Sequence, residues 1–166
     1  MASTYVPIAT TTLGSAANSV TFSSIASTYT DLVIVADYSL NVSNASLWCR
    51  LNSDTGSTYS FTRLSGNGSS ASSGRGSNET QARITADATA QATSTRQMVT
   101  LNFQNYANSS TYKTFLTRYG STGGTEAFVC LWRSTSAINS ISIKYFDTTA
   151  AIEAGSTFTL YGILSA

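Results

Sequence analysis

Histidine, the side chain that most often moves protons or binds metals near neutral pH, is absent from this sequence of 166 residues. Its absence excludes Ser-His-Asp and Cys-His catalytic arrangements, and it excludes metal sites that depend on imidazole. The two cysteines, Cys49 and Cys130, have no histidine that would hold them as thiolates. The residue types therefore predict no catalytic site, no metal site and no cofactor.

Both cysteines lie inside apolar patterns that are typical of strands, in the segments LWCRLN and FVCLWR. A free cysteine in such a pattern behaves as a small buried apolar side chain. A disulfide between neighbouring strands is the alternative, since the sequence does not supply the separation of the two Cα atoms. The pattern favours two buried thiols.

The carboxylates are scattered at expected turns and strand ends, and no two of them form a motif. They are Asp31, Asp37, Asp54, Glu79, Asp87, Glu126, Asp147 and Glu153. A glycosidase needs two facing carboxylates, which a fold can assemble from distant positions. Solvated turn carboxylates are the simpler interpretation, so a carboxylate-based depolymerase ranks last among the functions considered.

Each of the two tryptophans has an arginine close to it in sequence, Arg50 near Trp48 and Arg133 beside Trp132. Aromatic faces on a polar β-scaffold can stack on sugars, and Trp and Arg are frequent in protein interfaces. Alternation along a strand places Trp48 opposite Cys49, whereas Trp132 shares its face with Cys130. These four residues are candidate interface or glycan contacts; core tryptophans and solvated arginines are the alternative.

The composition limits the possible partners. Charged residues make up 10% of the chain and the net charge is +1, whereas soluble proteins average about 25% charged residues. Without a cluster of Lys and Arg, we expect no nucleic-acid partner. No apolar run is long enough to cross a bilayer, and the opening MASTYVPIATTT lacks the features of a signal peptide. We therefore expect a soluble chain that is not exported by the standard route.

Alternating apolar and polar residues predict an all-β protein. The abundance of Ser and Thr favours strands and turns over helices, and the length fits one domain over residues 1–166. Strands are predicted at 19–22, 31–40, 46–52, 59–64, 82–86, 98–106, 112–120, 127–134, 140–146 and 157–161. We expect an antiparallel β-sandwich, jelly-roll-like, with nine or ten strands and a short extended N-terminal segment, 1–12.

The segment SGNGSSASSGRGSNETQ, residues 65–81, is rich in Gly, Ser and Asn and has no apolar anchor. It is predicted to be an exposed loop and is the longest candidate binding loop. It lacks the lysine of a phosphate-binding loop, and no helix is predicted after it, so no phosphate site is expected there.

Several phrases occur in order along nearly the whole chain: YVPIATTTLGSAANSVTFSSI, YTDLVIVADYS, LNSDTGSTYSFTRLSGNGSS, YKTFLTRYG, LWRSTSAINSISI and AGSTFTLYGI. In this order and spacing, the sequence resembles small virion proteins of tailed bacteriophages. That group includes capsid decoration (cement) proteins and tail-associated β-domains. The resemblance carries no catalytic motif and implies a structural role without enzymatic activity.

The resemblance implies a decoration protein that binds the assembled lattice of the major capsid protein and stabilises it by mass action. It also implies a homotrimer on the capsid surface of a virion assembled in a bacterial cytoplasm. The segment TYVPIA, around Tyr5, Pro7 and Ile8, is the predicted capsid-docking arm. An edge strand packed on its own domain is the alternative for this segment.

A second function belongs to a different class of protein. A tail-fibre or receptor-binding module would recognise glycans of the host surface through Trp and Tyr faces and through the segment 65–81. The resemblance covers tail proteins as well as head proteins, so both functions remain open at this point.

Overall fold

The computed structural model describes residues 4–43, 45–86, 93–149 and 151–164. These residues form twelve β-strands and no helix. The strands are β1 (Tyr5–Thr12), β2 (Ser19–Phe22), β3 (Asp31–Tyr38), β4 (Leu47–Leu51), β5 (Tyr59–Gly66), β6 (Ala71–Glu79), β7 (Ala82–Arg83), β8 (Gln97–Phe103), β9 (Lys113–Ser121), β10 (Gly124–Trp132), β11 (Ile141–Tyr145) and β12 (Thr157–Ile163).

The strands form two antiparallel sheets. The larger sheet has eight strands in the order β1-β12-β3-β8-β9-β10-β5-β6, and the smaller sheet has four in the order β2-β11-β4-β7. Buried side chains from both sheets make one apolar cluster. The predicted jelly-roll-like antiparallel β-sandwich is therefore confirmed, with more strands than the nine or ten expected.

Alternation along the strands builds the core as predicted. Leu47, Cys49 and Leu51 on β4 are fully buried. The side chains between them on β4 point away from the core and are partly exposed. On β12, which lies between β1 and β3, Phe158 and Leu160 are fully buried. The last strand of the chain is thus an interior strand of the large sheet.

The two additional strands, β1 and β6, are the outermost strands of the large sheet. Neither contributes a fully buried side chain, so the alternation along them is only between exposed and partly buried residues and is a weak signal of a strand. β1 pairs with β12 along its whole length, with a register shift between Pro7 and Ala9. Proline is tolerated in an edge strand, because a proline whose nitrogen faces away from the neighbouring strand removes no hydrogen bond from the sheet.

The prediction of a loop at residues 65–81 is wrong. Residues 71–79 form β6, which pairs with β5 in a hairpin. Asn67 Oδ1 accepts hydrogen bonds from the N–H groups of Ser69 at 3.0 Å and Ser70 at 2.8 Å, and Gly68 has a φ of 85°. The polar residues thus provide turn chemistry for a hairpin whose second strand lies at the exposed edge.

The prediction of a strand at 82–86 holds only for Ala82 and Arg83. Beyond them, the hydroxyl of Thr85 accepts a hydrogen bond from the Leu47 N–H at 2.8 Å, so a side chain replaces the ladder bond. Residues 87–92, which follow in the sequence, lie outside the described residues.

The backbone at Gly162 in β12 lies close to the ring of Tyr29, so a substitution at Gly162 tests how tightly this part of the protein is packed. An added Cβ there would overlap the ring of Tyr29, whereas nothing lies within 4 Å of a Cβ added at Gly120. We expect Gly162→Ala to lower the free energy of unfolding by about 1–3 kcal/mol through overpacking. Denaturant unfolding measures this against Gly120→Ala, the matched control in β9. Equal stability of the two variants would contradict the packing.

Candidate functional site

The first candidate pair, Trp132 and Arg133, lies at the end of β10, and both side chains make contacts within the protein. Trp132 is 2% exposed, and its ring stacks on Tyr59 with centroids 6.3 Å apart. Its indole N–H donates to Asp54 Oδ2 at 2.7 Å. Trp132 is therefore a core residue with no open face for a sugar.

Arg133 connects neighbouring segments of the large sheet. Its Nη2 donates to Asn78 Oδ1 at 3.0 Å and to the carbonyl of Ser57 at 3.3 Å, while Nη1 donates to Ser60 Oγ at 3.3 Å. These bonds join the residues around the start of β5 to the end of β6. The guanidinium thus fixes the β5–β6 hairpin.

The second candidate pair, Trp48 and Arg50, lies on the outer face of the small sheet, because Cys49 between them points into the core. Antiparallel pairing places Lys144 of β11 on one side of Trp48 and Arg83 of β7 on the other. Phe146 follows β11 and contacts Trp48, with ring centroids 5.8 Å apart. We call the surface of Trp48, Arg50, Arg83, Lys144 and Phe146 the basic face.

The two aromatic rings of the basic face differ in accessibility. The guanidinium of Arg83 lies over the Trp48 ring, with its Cζ 5.6 Å from the ring centroid. Trp48 is partly buried, whereas 61% of Phe146 is exposed. The indole N–H of Trp48 is shielded from solvent and has no hydrogen-bond partner. Phe146 therefore offers the open aromatic surface, and Trp48 supports it.

Two arginines of the basic face donate hydrogen bonds to neutral side chains. Arg50 Nη2 donates to Gln81 Oε1 at 3.2 Å, and Arg83 Nη2 donates to Ser46 Oγ at 3.0 Å. Among the described residues, neither Arg50 nor Lys144 has a carboxylate oxygen within 4.0 Å of its charged nitrogens. The Nε of Arg50 is buried and has no hydrogen-bond partner. Arg50 lies near enough to Asp54 for its charge to lower the pKa of that carboxyl, so its charge is partly compensated, whereas the charge of Lys144 faces no described carboxylate at contact distance.

The outer face of the large sheet has the opposite character. Leu64, Met98, Leu116 and Val129 are between 40% and 64% exposed, and we call the surface they form the apolar face. Leu116 and Val129 are direct cross-strand partners on β9 and β10. A shallow depression of about 800 Å³ extends from Leu64 to Met98 across Arg118. The two sheets thus present two chemically different outer surfaces.

A polar cluster lies between the sheets. Gln97 Oε1 accepts hydrogen bonds from Tyr119 at 2.7 Å and from Tyr38 at 3.3 Å. Burial, and secondarily Tyr119, raises the pKa of Tyr38 well above its ordinary value. The buried carboxylate of Glu126 accepts the Ala86 N–H at 2.9 Å. The hydrogen bonds of this cluster connect strands to a loop, and the burial of Tyr38 keeps its phenol protonated.

Both thiols are free and buried, so the disulfide alternative does not apply. Burial, with a smaller contribution from Cys130, raises the pKa of the Cys49 thiol, and burial raises that of Cys130. No group of three or more His, Cys, Asp or Glu side chains that could hold a metal occurs in the part of the chain that the structure describes.

The residues of the predicted docking arm lie in β1. Tyr5 is exposed, and its ring meets Tyr161 edge-on at 6.1 Å between centroids. Pro7 is exposed, whereas Ile8 packs against the core. The segment is thus an edge strand on its own sheet, and capsid docking through its exposed side chains stays a prediction. A deletion of residues 2–9 would uncover β12, so it is not a clean test of docking.

Sequence patterns could identify part of the basic face. In SISIKYF, the alternation that buries Ile141 and Ile143 places Lys144 outward. The neighbours of Trp48 depend on the strand order β11-β4-β7, and local patterns do not encode that order. Arg83 and Phe146 were therefore missed.

No protein-family model matches this sequence, and no curated protein matches it. Among solved structures, the chain is similar to the galectin LEC-6 of Caenorhabditis elegans, with 10% identity, a TM-score of 0.38, and coverage of 94% of this chain and 96% of the galectin. The alginate lyase Aly36B has 9% identity and a TM-score of 0.39, with 95% of this chain and 82% of the lyase covered. Likeness at this level carries no argument about function.

In the described residues there is no helix of the length and apolar character that a membrane crossing requires.

Asp54 supplies a pH-dependent test of the Trp132 environment. Burial raises the pKa of Asp54, but hydrogen bonds from Trp132, Gly56 and Thr58 and the charge of Arg50 outweigh it, so the net pKa is lowered. Because the pKa of Asp54 is lower in the folded state, its ionised carboxylate stabilises the fold at pH values above the unfolded-state pKa of about 3.9. This stabilisation is lost as the pH falls through the folded-state pKa.

We expect Asp54→Asn to reduce the free energy of unfolding by about 1 kcal/mol at pH 7, since hydrogen bonds to a charged acceptor weaken. The difference from the wild-type protein should shrink below about pH 4 as the wild-type carboxylate protonates. Urea unfolding at pH 7 and at pH 3 measures both values. A difference that does not change with pH would contradict this account.

Proposed function

We propose that this chain is a structural protein of a tailed-bacteriophage virion. In this proposal it is a non-enzymatic capsid decoration (cement) protein on the capsid surface that binds and stabilises the assembled lattice of the major capsid protein. The sequence resemblance motivates the proposal. The structural observation that supports it best is the apolar face of the large sheet.

The apolar face has the properties of a protein-docking surface. Leu116 and Val129 are adjacent across two strands, and Leu64 lies diagonally from Val129 on the next strand. Single exposed apolar side chains are ordinary on soluble proteins, whereas several on the outer face of one sheet can mark a surface that another protein covers. Exposed Arg118 provides a polar contact within the patch.

Stabilisation of the shell would follow from mass action. A protein that binds the assembled lattice and not its free subunits shifts the equilibrium toward the lattice. The proposed homotrimer would present three copies of the docking surface, so that each assembly contacts several capsid subunits. The strands that carry the apolar face, β5, β8, β9 and β10, lie within the large sheet, and each is paired on both sides. A rigid surface of this kind loses little conformational entropy on binding.

The apolar face can be tested with undecorated particles of the phage that encodes the chain. We expect Val129→Lys to weaken binding at least about tenfold, since an unpaired charge would be buried and about 1.4 kcal/mol corresponds to a factor of ten. Cosedimentation with the particles measures occupancy.

Thr10→Lys is the matched control for that experiment, because Thr10 is exposed on β1 of the same sheet, away from the apolar face. Melting temperatures show that both variants fold. Undiminished binding of Val129→Lys would overturn docking through the apolar face.

A receptor-binding or tail-fibre module that recognises host glycans is the second candidate function. The observation that favours it is the basic face, where exposed Phe146 lies against Trp48. The predicted loop at residues 65–81 does not support this candidate, because most of that segment is paired as β6.

A further inference from the structure

The charge of the basic face is unlike that of the chain as a whole. The chain has nine Lys and Arg and eight Asp and Glu, which gives a net charge of +1. The outward positions of β2, β4, β7 and β11 carry three cations and, among the described residues, no carboxylate. A surface of this composition favours an anionic ligand over a neutral one.

The spacing of Arg50 and Lys144 suits a ligand with repeated charges. Lys144 is paired with Trp48, and Arg50 lies two residues further along β4, paired with Ser142. The two charges therefore lie diagonally across neighbouring strands, at residue positions typically about 7–8 Å apart. Arg50 offers a planar guanidinium, a group whose charge and geometry suit a carboxylate.

The neutral groups of the face suit a sugar. Phe146 presents an open aromatic surface beside the cations, and such surfaces stack on the apolar side of sugar rings. Thr21 and Ser142 add hydroxyl groups, which are joined to each other at 3.0 Å and lie in the same cross-strand row as Arg50. Sugar hydroxyls can exchange hydrogen bonds with such groups.

We propose that the basic face binds an acidic polysaccharide built from uronic acids, with Phe146 stacking on a sugar ring and Arg50 and Lys144 binding carboxylates. This inference rests on the second candidate function and defines its ligand class. A nucleic-acid duplex is disfavoured, because such complexes use long basic tracks with many phosphate contacts. An acidic peptide could pair with Arg50 and Lys144, but such a ligand would leave the exposed ring of Phe146 without a role.

Isothermal titration calorimetry of the purified chain with hexagalacturonate tests the proposal, with maltohexaose as the neutral probe and hexaglutamate as the peptide probe. We expect saturable binding of hexagalacturonate and none of maltohexaose. Arg50→Gln, Lys144→Gln and Phe146→Ala should each weaken binding by about threefold to tenfold, as expected for the loss of one charge-assisted bond or one stacking contact.

Matched controls separate the site from net charge and from general aromatic content. Arg118→Gln removes one exposed positive charge from the apolar face, and Tyr112→Ala removes one exposed ring elsewhere. We expect neither control to alter binding of hexagalacturonate. Melting temperatures establish that every variant is folded.

Three results would overturn the inference: no binding of hexagalacturonate, equal weakening by Arg118→Gln and Arg50→Gln, or hexaglutamate bound as tightly as hexagalacturonate. Binding of maltohexaose alone would retain glycan recognition and reject the acidic class. Because the titration uses the purified chain, its result is independent of where the protein lies in a virion.

Discussion

Every central strand of this protein must bury one face in the core between the two sheets, and this constraint determines where chemistry can occur. Side chains alternate along a strand, so burying Cys49 on β4 places Trp48 and Arg50 outward. The same alternation on β10 buries Trp132 with Cys130 and leaves Val129 exposed. Inner positions are occupied by apolar packing and by hydrogen-bonded polar groups, and the outer positions are left for contact with other molecules.

The two outer faces differ because the strands behind them differ in composition. The middle of the large sheet presents Leu116 and Val129 side by side, whereas the small sheet presents Arg50 and Lys144 beside aromatic rings. An apolar patch suits the surface of another protein, and a cationic patch with an aromatic platform suits an anionic sugar. The apolar face is the basis of the proposed capsid docking, and the basic face is the basis of the second candidate function.

Sequence patterns predicted the strands that have a core side and missed those that do not. The alternation in MVTLNFQNY and in TFTLYG identifies β8 and β12 because half of each strand is buried. β1 and β6 are edge strands without a fully buried residue, so their sequences do not distinguish them from extended or loop segments. Because β6 has no buried residue, the polar sequence of residues 65–81 predicts a loop although part of it forms a strand.

The candidate site could be predicted only in part for a related reason. Alternation places Trp48 outward, but the residues that surround it come from β7, from β11 and from the segment after β11, and their proximity depends on the order of strands in the sheet. Trp132 shows the converse. Its sequence pattern is compatible with an interface or with the core, and the hydrogen bond to Asp54 and the stacking on Tyr59 make it part of the core.

The most direct test of the central claim is the copy number of this protein in purified virions, measured by quantitative mass spectrometry against the major capsid protein. A capsid decoration protein is predicted to be present in a number of copies close to that of the major capsid protein. A ratio of a few per cent or less would contradict capsid decoration and place the chain in the tail.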